Sequence, residues 1–401
     1  MPRRAIVLVP GFGRNERNLL RDRLVRALRH YTDGWRIEQL EDGDGARAGA
    51  ARLRATARCG GESREIDVYE AYWADLVPDW SRESPWARFK RGGLLLRYWL
   101  FGGARAWRDR GEAPPRAATA MRLAALALIL WWLVVALLLL QTFGAISIPE
   151  AFAAIPGFEK LWAQISVGAA AVTGSVLAGL LLWVWSLGYL EQFANISAYA
   201  KAYLRDEPCG DDDIGLRAKT KARALQLLDQ VGDVSGDRAY DEIYVVGHSL
   251  GGAIAVDALA DYGDRLDHVV LFTWGSALGL LSQQEPLVEC EIGKFYEARP
   301  RIRGWIDVVF PQDYMGSQVP VPRRIDAAGK PGAFYDPLFP KAVTPHVPRG
   351  MHLFELADIH EAYYRCEKAL LMLVQPGSAL PVAEQAPPGP AAKTVTKLRV
   401  T

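Results

Sequence analysis

The 401-residue sequence has little cysteine: Cys59, Cys209, Cys290 and Cys366 lie far apart, and no CxxC pair occurs. That spacing argues against a disulfide-stapled scaffold and against a zinc site, and it fits a reducing compartment. Net charge is almost absent as well, with 47 Lys and Arg against 46 Asp and Glu. The chain as a whole carries no electrostatic drive toward nucleic acid. No internal repeat is present. The start does not read as a secretory signal either. Arg3 and Arg4 precede a hydrophobic run of only five residues, Ala5 to Val9, which Pro10 and Gly11 end. Half of the residues are hydrophobic and 23% are charged, which suits a sizeable core rather than a disordered chain.

The most informative lack is local. No charged residue occurs from Leu123 to Pro149, and none from Leu161 to Leu190. Each run exceeds the roughly 20 residues that cross a bilayer core. Neither carries the polar stripe of a soluble helix. Thr173, Gly174, Ser175 and Gly179 give the second run small residues for close helix approach. We read a transmembrane hairpin, with helices at 121–143 and 165–190 and a short connector at 144–164. Ten Lys and Arg lie between Arg82 and Arg122, whereas the connector has Lys160 alone. The positive-inside rule then puts the connector outside and both termini in the cytoplasm. Arg outnumbers Lys 36 to 11, which points to a GC-rich bacterial genome and hence to the plasma (inner) membrane.

Residues 86–120 form a basic segment before the first span. Its part from Trp86 to Trp107 interleaves aromatics with Arg and Lys, which suits a surface helix on an anionic leaflet. The alternative is an amphipathic helix packed on the neighbouring domain. Residues 375–401, rich in Pro and Ala, read as a disordered tail.

What flanks the hairpin has an α/β pattern. Ala5–Val9 reads as a buried strand running into Pro10-Gly11-Phe12-Gly13. Asn18–Tyr31 has helical spacing, Trp35–Leu40 is a strand candidate, and Glu65–Tyr72 is another. After the hairpin come a helix over Leu216–Val231, a strand over Ile243–Val246, a helix over Ala253–Tyr262, and strands over His268–Trp274 and Ile302–Phe310. Alternation of strand and helix implies a mostly parallel sheet flanked by helices. Residues 1–85 and 195–374 therefore read as two parts of one domain that the hairpin interrupts.

Gly247-His248-Ser249-Leu250-Gly251 joins the Ile243 strand to the Ala253 helix. A tight strand-to-helix turn strains the backbone at its centre, and glycines on either side of Ser249 remove side chains that would clash. The turn lifts the hydroxyl above the sheet edge. The helix N-terminus behind it favours developing negative charge. Ser249 is the candidate nucleophile. The plain alternative is a Gly-rich turn that only lets helix and strand pack closely.

With these residues the chain resembles an α/β-hydrolase of the lipase/esterase kind, over Ala5–Gly13 and roughly 241–373. The resemblance implies the chain order nucleophile, acid, histidine. It implies backbone oxyanion donors at Phe12 and Leu250, although Pro10 stands where many lipases have His. It places the base at His360, in a His-x-x-Tyr pattern closed by Tyr363, with His352 and then His346 as alternatives. It places the acid at Asp313, just past the Trp305 strand, with Asp307, Asp336 and Asp358 as alternatives. The expected activity is cleavage of an acyl ester, on a lipid substrate met at the cytoplasmic face, with neither a metal nor an organic cofactor. A second reading is a non-catalytic membrane scaffold of the same fold that recruits partners.

Overall fold

The computed structural model describes residues 1–13, 15–40, 49–78, 189–209, 213–232, 239–262, 266–296, 302–322, 341–346 and 356–375, with 83–84, 87, 90–91, 94–95 and 97–99. The expected first span, the connector, nearly all of the second span (165–190) and the tail past residue 375 lie outside the described residues, as do His352 and Asp336. Among the described residues no helix is long and apolar enough to cross a membrane.

Eight strands make one sheet. They are β1 (Arg3–Val9), β2 (Trp35–Gln39), β3 (Ala51–Ala57), β4 (Ser63–Glu70), β5 (Glu242–His248), β6 (Leu266–Trp274), β7 (Ile302–Val308) and β8 (Lys341–Val343), in the spatial order β2-β3-β4-β1-β5-β6-β7-β8. β1 pairs in parallel with β4 on one side and with β5 on the other. β5, β6, β7 and β8 continue in parallel, while β2, β3 and β4 form an antiparallel meander. The first strand thus joins residues on both sides of the long intervening stretch into one sheet.

Both faces of the sheet are covered, so β1 over Ala5–Val9 and β5 over Ile243–Val246 run as continuous buried stretches rather than alternating with exposed residues. Ala5, Val7 and Val9 of β1 pack to one side, with Tyr199, Leu228 and Ile254. These come from α2 (Tyr189–Leu204), α3 (Leu216–Gly232) and α4 (Leu250–Asp261). Ile6 and Leu8 pack to the other side, with Leu24 and Leu28 of α1 (Leu19–Tyr31) and with Leu370 and Leu373 of α8 (Glu367–Val374). Two short helices, α5 (Leu278–Gln284) and α6 (Pro286–Gly293), follow β6, and α7 (Leu356–Glu361) precedes α8. The helix after β1 lies on the face opposite the helix after β5. The chain therefore leaves two adjacent parallel strands in opposite directions, which opens a crevice at their carboxyl ends.

Several elements differ from expectation. The strand expected over Glu65–Tyr72 runs from Ser63 to Glu70, and Ile66, Asp67, Val68 and Tyr69 are all buried because it is covered on both faces. The helix after the turn begins at Leu250, directly behind Ser249, and not at Ala253. Of the two readings of the basic segment, its described residues carry the packed one. Leu95, Tyr98 and Trp99 are buried in the domain core, while Lys90, Leu94 and Arg97 face out. The Tyr98 hydroxyl donates to Glu285 at 3.0 Å, and the Gln284 side-chain amide donates to the Tyr98 carbonyl at 2.6 Å.

Candidate functional site

The crevice between β1 and β5 is where Ser249 stands. Its backbone has φ 56° and ψ −125°, in the left-handed half of conformational space, where a residue with a side chain is strained. Such a conformation costs on the order of 1–3 kcal/mol and persists only where the surroundings over-determine it. They do so here. The Ser249 N–H donates to the Trp274 carbonyl at the end of β6 (3.0 Å), and its carbonyl accepts from the Gly252 N–H (3.0 Å).

Three glycines allow the approach. A Cβ on Gly247 would lie 2.6 Å from the Gly252 Cα, and one on Gly251 would lie 2.1 Å from the Val9 carbonyl oxygen. The first turn of α4 is thus seated directly on the end of β1. A Cβ on Gly11 would lie 2.8 Å from the Ser249 Cβ, so the loop after β1 touches the serine itself. Trp73 holds this loop through its indole N–H, which donates to the Pro10 carbonyl at 3.1 Å. Phe12 packs on Tyr199, ring centroids 5.4 Å apart. Leu250 is the first residue of α4, where a backbone N–H has no partner within the helix. Phe12 therefore lies in the loop after β1 that touches Ser249, and Leu250 opens the helix directly behind it.

The Asp313 turn and α7 bring a second pair together. His360 Nδ1 lies 2.9 Å and 3.1 Å from the two carboxylate oxygens of Asp313, and both residues are buried. A carboxylate only accepts, so Nδ1 carries the proton. Asp313 also accepts from the backbone N–H groups of Met315 (2.9 Å) and Gly316 (3.0 Å) and from the Tyr363 hydroxyl (2.9 Å). Burial alone pushes the Asp313 pKa up. The hydrogen bond and charge of His360, with those other donors, outweigh it and hold the carboxyl below its ordinary value. His360 Nε2 is buried with no hydrogen-bond partner among the described residues, which leaves its lone pair open to a proton.

The alternatives fall elsewhere. Asp307 is buried in β7, accepts from the Thr273 hydroxyl (2.6 Å) and the Val319 N–H (3.0 Å), and fastens the loop that carries Asp313. His346 and Asp358 are exposed. His248 is buried and turned toward the backbone of α7, with Nε2 2.9 Å from the His360 carbonyl oxygen.

Sequence reasoning missed how tightly the acid is enclosed. Gly275 has φ 51°, and a Cβ there would lie 2.5 Å from the Tyr363 ring and 2.7 Å from an Asp313 oxygen. A Cβ on Gly316 would lie 2.5 Å from the same oxygen. The signal was a glycine at the strand end and another three residues past the acid, at Gly275 and Gly316. Among the described residues, no group of three or more His, Cys, Asp and Glu could hold a metal ion.

Comparison with protein-family models, with curated proteins and with solved structures finds no match to this chain.

Proposed function

We propose that the protein is a serine hydrolase of the α/β-hydrolase kind that cleaves acyl esters of lipids, anchored by the hairpin at 121–143 and 165–190 with its catalytic domain at the cytoplasmic face. The observation that carries this reading is the strained Ser249 at the carboxyl end of β5, together with the buried Asp313–His360 pair whose Nε2 is open. A serine hydroxyl is a poor nucleophile until a base takes its proton. In the reaction we infer, Ser249 Oγ attacks the ester carbonyl carbon while His360 Nε2 accepts the hydroxyl proton. The oxyanion of the tetrahedral intermediate is held by the Phe12 and Leu250 N–H groups. Each such donor is worth about 3 kcal/mol of transition-state stabilisation. Collapse of the intermediate expels the alcohol, which receives the proton from His360. Water then attacks the acyl-serine by the same route. Asp313 fixes the imidazole with Nδ1 protonated and stabilises the imidazolium when it forms.

The membrane part of the reading rests on the two charge-free runs and on the excess of Lys and Arg before the first. Its test is a cysteine at Ser147, in a chain from which the exposed Cys59 and Cys290 have been removed. It should react with an impermeant maleimide only from outside, and reaction from the cytoplasm alone would reverse the orientation.

The decisive experiment is labelling by a fluorophosphonate, which traps an activated serine without a guess at the substrate. Wild type should label, and Ser249→Ala should not, with its thermal unfolding unchanged. A folded wild type that takes no label would favour the scaffold reading.

A further inference from the structure

The residue before the nucleophile is a histidine, and the mechanism above gives it no role. His248 ends β5, is buried, and packs among the His360, Tyr363 and Tyr364 rings at centroid distances of 5.0, 5.9 and 5.4 Å. Its Nε2 lies 2.9 Å from the His360 carbonyl oxygen. A carbonyl can only accept, so Nε2 carries the proton. Burial lowers the His248 pKa, which keeps the ring neutral. His360 lies in the last turn of α7, where backbone carbonyls lack partners within the helix, and His248 supplies one.

We propose that His248 is a positioning residue, whose Nε2–H fixes the backbone of His360 relative to Ser249. This rests on the serine-hydrolase reading. Asp313 orients the His360 ring through Nδ1, but where Nε2 falls also depends on where the His360 backbone stands. His248 shares a peptide bond with Ser249, so its hydrogen bond ties the base's main chain to the nucleophile's across 112 positions. A displacement of about 1 Å between reacting groups costs on the order of 100-fold in rate, which sets the scale of what such a tether protects.

Two variants separate hydrogen bonding from packing. His248→Gln keeps an N–H donor at similar reach and loses the aromatic ring. His248→Phe keeps the ring and loses the donor. The rate on a short soluble ester is measured per active site, by fluorophosphonate titration. The ring nitrogens of His360 are followed in the same detergent-solubilised full chain by NMR with 15N-labelled histidine. We expect kcat to fall about 10- to 100-fold in His248→Phe with KM little changed. His248→Gln should keep the higher kcat. The His360 ring signals should move in the Phe variant and stay close to wild type in the Gln variant. Equal effects in the two variants, or the reverse order, would overturn the proposal. If wild type takes no label, the hydrolase reading fails by itself, and the His360 ring signals still decide whether His248 positions that histidine.

Discussion

Two buried aspartates six positions apart, Asp307 and Asp313, have pKa values displaced in opposite directions because their partners differ. Asp313 faces a histidine, two backbone N–H groups and a tyrosine hydroxyl, and its pKa falls. Asp307 has one hydroxyl and one backbone N–H, which do not offset its burial, and its pKa is pushed up to about 6. The stability consequences carry opposite signs. A depressed carboxyl adds stability that is present above its unfolded pKa and is lost as pH falls through its folded one. For Asp307 the folded chain binds the proton more tightly than the unfolded chain, so its contribution falls as pH rises from about 4 to about 6. A difference of two units is about 3 kcal/mol at most. Denaturant unfolding of Asp307→Asn across pH 4 to 7 should therefore lack a fall in stability that wild type shows over that window. The same fall in both proteins would mean that the group is ionised in the fold at little cost.

At the scale of elements, the turn from β5 to α4 was legible because its constraint is steric and local. An apolar run, then glycine, serine and glycine, then a second apolar run leave few other conformations. The seat of α4 on β1 also makes a sharp prediction. Gly251→Ala sets a methyl group 2.1 Å from the Val9 carbonyl oxygen, with backbone on both sides of the contact. It should lower stability by about 3 kcal/mol or more, read by thermal or denaturant unfolding, and abolish labelling of Ser249. A stable, fully labelled variant would show that the helix can retreat from the strand. Elsewhere legibility was lower. β3 (Ala51-Arg-Leu-Arg-Ala-Thr-Ala57) alternates correctly, yet its inward residues are mostly alanine and its outward ones are two arginines and a threonine, a weak strand pattern. The strand β8 spans three residues and has no pattern to read. For the site, chain order left several acids and histidines open. Only the packing of the Asp313 turn against α7, 47 positions away, brings one acid and one histidine together. The role of Asp307 depends on Thr273 in a neighbouring strand, and no spacing along the chain encodes that.

On the scale of the molecule, the central question is how a sheet survives a long interruption of its chain. β1 answers it, since Val7 is paired with Tyr69 on one side and with Val245 on the other. The first strand is therefore the seam between the parts before and after the interruption, and its neighbour β5 delivers Ser249 to the crevice. Covalent continuity through the connector should not be needed once the sheet has formed. A protease site inserted after Ser147 tests this. After cleavage in mild detergent, both fragments should co-purify, and fluorophosphonate should still label the fragment that holds Ser249. Under the proposed hairpin, the two charge-free runs would also hold the fragments together, so the strand needs its own control. Val7→Pro removes a backbone N–H from the middle of β1, which a central strand does not tolerate. If the sheet is the seam, the cleaved Val7→Pro protein loses its label even where its fragments stay together in the detergent micelle. Retention of label after that substitution would mean that β5 holds Ser249 without its partner strand, and the pairing of β1 would no longer explain the site.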